Sequence, residues 1–141
     1  RGVAGVRLVT SDAHAGLRRA IMEVFDGASW QRCFVHMQRD LTARIRHRKD
    51  QGRAMHALSA VPRQPDAAMT RAAYDAAVVR IGAIDRRAGE LLEDAREDAL
   101  AHLAFHREHW VRLRTNNVQE RANAEIKRRT RAVQSSPHAS P

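Results

Sequence analysis

From Met55 to Leu103 the sequence carries no strand signal, only an Ala-rich helical pattern broken near Pro62 and Pro65. A sheet must therefore come from the first 36 residues, which offer two segments for it. Val3-Ala4-Gly5-Val6-Arg7-Leu8-Val9-Thr10 is apolar and β-branched enough to be a buried strand, and it stops at the polar Ser11-Asp12. After a turn over Asp26-Gly27-Ala28-Ser29, Trp30 to His36 reads as a second, short strand. Between the two, Leu17, Ala20, Ile21, Val24 and Phe25 recur three and four apart, the stripe of an amphipathic helix. Met37, Leu41 and Ile45 keep the same spacing on a basic helix. The run Val78, Ile81, Ile84, Ala88, Leu91, Leu92, Ala95, Ala99, Leu103 keeps it through the middle of the chain. Beyond the polar Thr115-Asn116-Asn117, Val118 to Ala132 reads as a terminal basic helix, and residues 133–141 as a disordered tail. The fold class is α/β, mostly helical overall.

Charge narrows the partners. Among 141 residues, 25 are Lys or Arg and 16 Asp or Glu, a net charge of +9 that favours a polyanion. Residues 32–53 hold seven basic and two acidic side chains, and residues 112–131 again seven and two, whereas residues 54–111 hold seven and nine. Two basic stretches thus flank an acidic middle, and a nucleic acid is expected on the flanks. One cysteine excludes an internal disulfide framework and a Cys-rich zinc ribbon. No apolar run approaches the roughly 20 residues that cross a bilayer, so no membrane partner is expected, and with no signal peptide in view the chain reads as cytoplasmic. Trp30 and Trp110 read as core or interface aromatics, since 4% aromatic content is thin for a single-strand binder.

Two carboxylates and one spacing are candidates for chemistry. Asp12 follows a strand, where open α/β sheets place their ligands, but from position alone capping of the next helix by Ser11 or Asp12 is the favoured role. Glu120 lies three residues after Asn117, the spacing of a capping box with Asn117 as N-cap. Glu120, Asn123 and Lys127 share one helical face, with Arg121, Arg128 and Arg129 spread around it, a set suited to a metal ion held against a phosphate backbone. Cys33-x-x-His36, with His102, His106 and His109, has a superficial zinc spacing but only one thiol. The histidines read as surface groups or as the lining of a charged groove.

Taken together, Gly5 to Leu17, Trp30-Gln31-Arg32-Cys33-x-x-His36, His109-Trp110 and Thr115-Asn116-Asn117-x-x-Glu120-Arg121-x-Asn123-x-Glu125-Ile126-Lys127-Arg128-Arg129-Thr130 closely resemble bacterial mutator-type insertion-sequence transposases. The resemblance implies a partial RNase H-like domain with a large all-helical insertion and an Asp, Asp, Glu triad. Asp12 is similar to the second catalytic aspartate and Glu120 to the glutamate, with His14, Cys33 and His36 in the motifs near the active site. It divides the chain into residues 1–36, a helical insertion over 37–109, the basic helix 110–132 and the tail. It also implies Mg2+ or Mn2+ on Asp12 and Glu120, and contacts to transposon-end and target DNA by Asn117, Arg121, Asn123, Lys127, Arg128 and Arg129. At least a dimer at work on nucleoid DNA follows from the pairing of two ends. The first triad aspartate is expected upstream of Arg1. Asn116, Gln119, Ala122 and His106 depart from the family's usual residues, and the apolar pair before Pro137 is missing. The chain is accordingly expected to be a fragment or truncated copy, inactive alone. The competing readings are a non-enzymatic basic helical DNA-binding module, an inactive transposase remnant, and a protein–protein adaptor using the Val78–Leu103 stripe.

Overall fold

The computed structural model describes residues 3–134. Strands β1 (Leu8–Ser11) and β2 (Ser29–Arg32) pair in parallel, from Leu8 opposite Ser29 to Ser11 opposite Arg32, and helix α1 (Ala15–Val24) makes the crossover. A parallel pair needs such a crossover because a tight turn can only join antiparallel strands. The ladder is extended at both ends by Ser29 N–H to Arg7 O (2.9 Å) and Cys33 N–H to Ser11 O (2.8 Å). Helices α2 (Phe34–Arg44), α3 (Arg48–Ser59), α4 (Ala67–Ile84) and α5 (Arg86–Leu100) follow, with a 3-10 turn at Val61–Arg63. Two further 3-10 turns, Ala101–Ala104 and Arg107–His109, lead into the single-turn α6 (Trp110–Leu113) and the long α7 (Asn117–Gln134). None of the helices is long and apolar enough to cross a membrane among the described residues.

Several expectations are corrected. The first strand is half as long as the apolar run, because Gly5 sits at φ +73° and only Leu8–Ser11 find a partner strand. The second strand ends at Arg32; Cys33 is the N-cap of α2 and Phe34–His36 form its first turn rather than continuing the strand. The apolar run from Val78 is cut in two at Asp85, which ends α4 and caps α5 by accepting from Ala88 N–H at 2.9 Å. His102 is buried rather than superficial. In α1 only Ile21 is buried, and Leu17, Met22 and Val24 are exposed, so its stripe does not face a core among the described residues. Of the expected tail, Val133 and Gln134 belong to α7, and residues 135–141 lie outside the described residues.

One core runs from Phe34 through α2–α5 to Trp110, with Met37, Leu41, Leu58, Tyr74, Ile81 and Leu92 fully buried at its centre. Tyr74 donates to Leu92 O at 2.7 Å, and burial raises its phenol pKa above the ordinary range. Leu92 O is a helix carbonyl within α5, so removing the hydroxyl leaves no orphan there. Tyr74→Phe is therefore expected to cost only about 1 kcal/mol in denaturant unfolding.

A fully buried polar side chain ties the end of α5 and the turn after it to the sheet. Gln31 is fully buried in β2. It donates to Ala99 O (2.8 Å) and Arg32 O (2.8 Å), and accepts from His102 N–H (2.8 Å), with His102 Nδ1 3.0 Å from the same oxygen. Trp30 and Trp110 are both buried; Trp30 donates to Ser11 Oγ (2.8 Å) and carries the Arg18 guanidinium on its face, 4.7 Å from the ring centroid.

Candidate active site

Three chain segments converge at the carboxyl end of β1. Asp12 follows the strand directly. Two anchors draw in the segment before α7: Thr10 Oγ1 donates to Leu113 O (2.6 Å), and Phe34 N–H, one of the unpaired donors that begin α2, donates to Arg114 O (2.8 Å). Burial lowers the Arg114 guanidinium pKa, and the side chain reaches Pro62 O at 3.4 Å. With Leu113 and Arg114 fixed against β1 and α2, α7 must start beside Asp12, which brings Glu120 back over more than a hundred residues.

The two acids meet on one imidazole. His36, in the first turn of α2, has Nδ1 3.0 Å from Asp12 Oδ1 and Nε2 3.2 Å from Glu120 Oε1. The Nδ1 contact is at ion-pair distance but outside hydrogen-bond alignment, so this buried nitrogen has no hydrogen-bond partner among the described residues. Arg39, one turn on, lies 3.8 Å from Glu120 Oε2 and 3.3 Å from His36 Nε2. Nε2 cannot donate to Glu120 and accept from Arg39 at once: a protonated ring serves both acids, whereas a neutral ring with its proton on Nδ1 serves Arg39. The acids remain open to solvent, with 48% of the Asp12 and 36% of the Glu120 side chain exposed, so a ligand has access to both.

Behind the acids, the fully buried Cys33 donates through Sγ to Asn116 Oδ1 (3.0 Å), and Asn116 Nδ2 donates to Asp12 Oδ1 (3.5 Å). Cys33 is the N-cap of α2 but makes no side-chain cap bond, so its thiol is free for this contact. Asn116 and Arg39 were not singled out for the site by the sequence. The signal for them is non-local, since each is defined by partners far along the chain.

Neither acid caps a helix. His14 caps α1, its Nδ1 accepting from Leu17 N–H at 3.4 Å, while Ser11 Oγ is occupied by Trp30. Asn117 is already helical, so the expected capping box is displaced. Glu120 N–H bonds Asn116 O (3.0 Å), and the Glu120 carboxylate turns to His36 and Arg39. His14 is thus exposed and spent on the cap, outside the cluster formed by Asp12, Cys33, His36 and Glu120. Further along α7, Arg121, Asn123, Lys127, Arg128 and Arg129 are all exposed. Glu125 holds Arg128 and Arg129 at 2.7 Å each, and these two guanidiniums keep its carboxyl below the usual range.

Carboxylate oxygens are the donors that hard divalent cations prefer, so Asp12 and Glu120 fit Mg2+ or Mn2+ in kind. In number they fall short of a cage: no group of three or more His, Cys, Asp and Glu side chains is arranged to hold a metal among the described residues.

Residues 1–140 match the family model described as transposase, mutator family. The transposase for insertion sequence element IS1081 of Mycobacterium tuberculosis is 40% identical over 133 residues, 94% of this chain and 32% of its own length. That for IS406 of Burkholderia multivorans is 35% identical over 141 residues, 98% of this chain and 36% of its own. That for IS256 in transposon Tn4001 of Staphylococcus aureus is 33% identical over 142 residues, again 98% and 35%. The chain spans about a third of the length of the curated relatives it matches. No solved structure matches it. With a family match running along nearly every residue, this chain belongs to the mutator family of transposases.

Proposed function

We propose that the chain supplies Asp12 and Glu120 to a metal-dependent site that cuts and joins DNA strands during transposition of an insertion sequence, within a partial RNase H-like domain acting on DNA in the cytoplasm. The observation that carries this reading is the meeting of Asp12 and Glu120 on His36, at 3.0 and 3.2 Å. Reading the chain as a DNA-binding module without catalysis leaves the meeting of two distant acids beside one imidazole unexplained, and neither acid is engaged in capping. When bound, Mg2+ or Mn2+ supplies charge stabilisation at the phosphorus and a more acidic attacking hydroxyl. The chain's residues divide the remaining work. Asp12 and Glu120 offer oxygen donors, Cys33 and Asn116 orient Asp12, and Arg39 restrains Glu120. Asn117, Arg121, Asn123 and Lys127 on α7, with Arg128 and Arg129 when Glu125 yields them, hold the phosphate backbone of transposon-end or target DNA. Pairing two ends requires at least two copies.

Two carboxylates are too few for a two-metal site, so the 141-residue chain alone is expected to be inactive in a Mn2+-dependent strand-transfer assay. Robust strand transfer lost in Glu120→Ala would sustain the site and refute the inactivity. Metal binding tests the site itself. Mn2+ titration of the chain, followed by electron paramagnetic resonance, is expected to show a weak site whose affinity falls about tenfold or more in Asp12→Asn and in Glu120→Gln. Equal Mn2+ binding by both variants would remove the metal role.

A further inference from the structure

The start of α2 (Phe34, Val35, Gln38) shares a cleft with Ser59 at the end of α3 and with Pro62, so α2 and α3 run antiparallel. The start of α3 therefore lies at the end of the helical layer remote from Asp12 and Glu120, by the length of α2, about 16 Å. There it meets the end of α4. Lys49, Arg53 and His56 of α3 and Arg80 of α4 line a groove of about 680 Å³, with Gly52 and Ile84 among its other walls. Lys49 and Arg53 belong to the first basic flank, and the fold sets Arg80, from the acidic middle segment, across from them.

Nearby acids are already committed. Asp50 pairs with Arg53 (3.3 Å), Asp85 caps α5, and Glu90 pairs with Arg86 (3.0 Å). No carboxylate lies within ion-pair distance of Lys49 or Arg80 among the described residues, nor of Arg46 or Arg48 just before them. Gly52 adds an independent sign. A glycine inside a helix costs about 1 kcal/mol relative to alanine and usually has a packing reason, but a Cβ here would have nothing within 4 Å. Nothing in the folded chain presses on Gly52, which is exposed and lines the groove.

We infer that this groove is a second DNA-binding site, gripping the duplex phosphate backbone through Lys49, Arg53 and Arg80, apart from the acids and from α7. The inference rests on the reading of DNA as the partner. Three exposed cations of different reach around an open, shallow groove, Arg53 joining when Asp50 yields it, suit phosphates spaced along a duplex better than one enclosed anion.

Fluorescence anisotropy of a labelled duplex, titrated with the whole 141-residue chain across a salt series, tests this. The triple variant Lys49→Gln/Arg53→Gln/Arg80→Gln is expected to bind about tenfold or more weakly near 0.1 M salt. Its slope of log affinity against log salt should be shallower by about 2 to 3, since each phosphate contact contributes about 0.9. Gly52→Glu, which puts a carboxylate into the groove and a better helix former into α3, is expected to weaken binding too while leaving helicity and unfolding midpoint intact. If the unaltered chain binds duplex and both variants match it in affinity and slope, the groove inference is overturned and the DNA reading stands. Absence of duplex binding by the unaltered chain at low salt overturns both. Displacement of the duplex by millimolar inorganic phosphate at constant ionic strength would mark a small-anion pocket and also overturn the inference.

Discussion

Gly89→Ala is expected to destabilise the chain by about 3 kcal/mol or more in urea unfolding, whereas Gly82→Ala, at the same helix crossing, is expected to be neutral or stabilising by up to about 1 kcal/mol. The two glycines face each other where α4 and α5 fold back on the one-residue turn at Asp85. A Cβ on Gly89 would lie 2.6 Å from Gly82 Cα and 3.0 Å from Gly82 N, and 3.5 Å from Val78 O. All three are backbone atoms of α4, so no side chain can swing away and the helices must separate. Separation loosens the contacts of Ala77, Ile81, Leu92 and Ala95, all buried along this seam. A Cβ on Gly82 would meet only Gly89 Cα, at 3.8 Å, an ordinary contact. Alanine there gains helix propensity without displacing anything. Equal unfolding midpoints for the two variants would show that the crossing is not the tight contact described.

What the sequence discloses about this molecule is the part written in neighbouring residues. The β1–Asp12–α1 order, the basic helix after Thr115 and the helical middle all follow from periodicity and turn chemistry acting over a few positions. Cys33–His36 looked like strand because aromatic and β-branched residues crowd there. The helix that forms instead has no side-chain cap, and its Phe34 N–H is satisfied by Arg114 O, eighty residues away. Asp85 carries no glycine or proline to mark a turn; its cap on Ala88 N–H and the burial of both apolar halves against each other create one. For the site, the candidate acids are legible, but the capping roles that rival them are excluded only by distant contacts: His14 caps α1, and the Glu120 carboxylate turns to His36 and Arg39. Gln31 gave no signal either, because a buried polar residue is defined by partners, and its partners are 68 and 71 residues distant.

Those distant partners make Gln31→Leu the second large effect. The substitution fills similar space, but it strips bonds from three buried groups at once: Ala99 O, His102 N–H and His102 Nδ1. At about 1–3 kcal/mol for each buried group left unpaired, and with partial relief for a carbonyl that ends a helix, a loss of about 3–5 kcal/mol is expected. The same joint makes stability depend on pH. Burial, aided by the positive charge of Arg114, pushes the His102 imidazole down to about 4 from an ordinary 6.5. Between those values the unfolded chain takes up a proton that the folded chain refuses, so the stabilisation is fully present above about 6.5 and is lost as pH falls toward 4. The shift corresponds to a loss on the order of 3 kcal/mol across that window. Urea midpoints measured at pH 7.5 and pH 4.5 should therefore fall steeply with acid in the unaltered chain. They should fall much less in His102→Phe, which keeps a ring edge-on to Trp110, 5.8 Å away in the parent, but has no proton to gain. Parallel pH curves for the two proteins would mean that acid acts elsewhere, and that the joint between the sheet and the helices does not depend on a neutral His102.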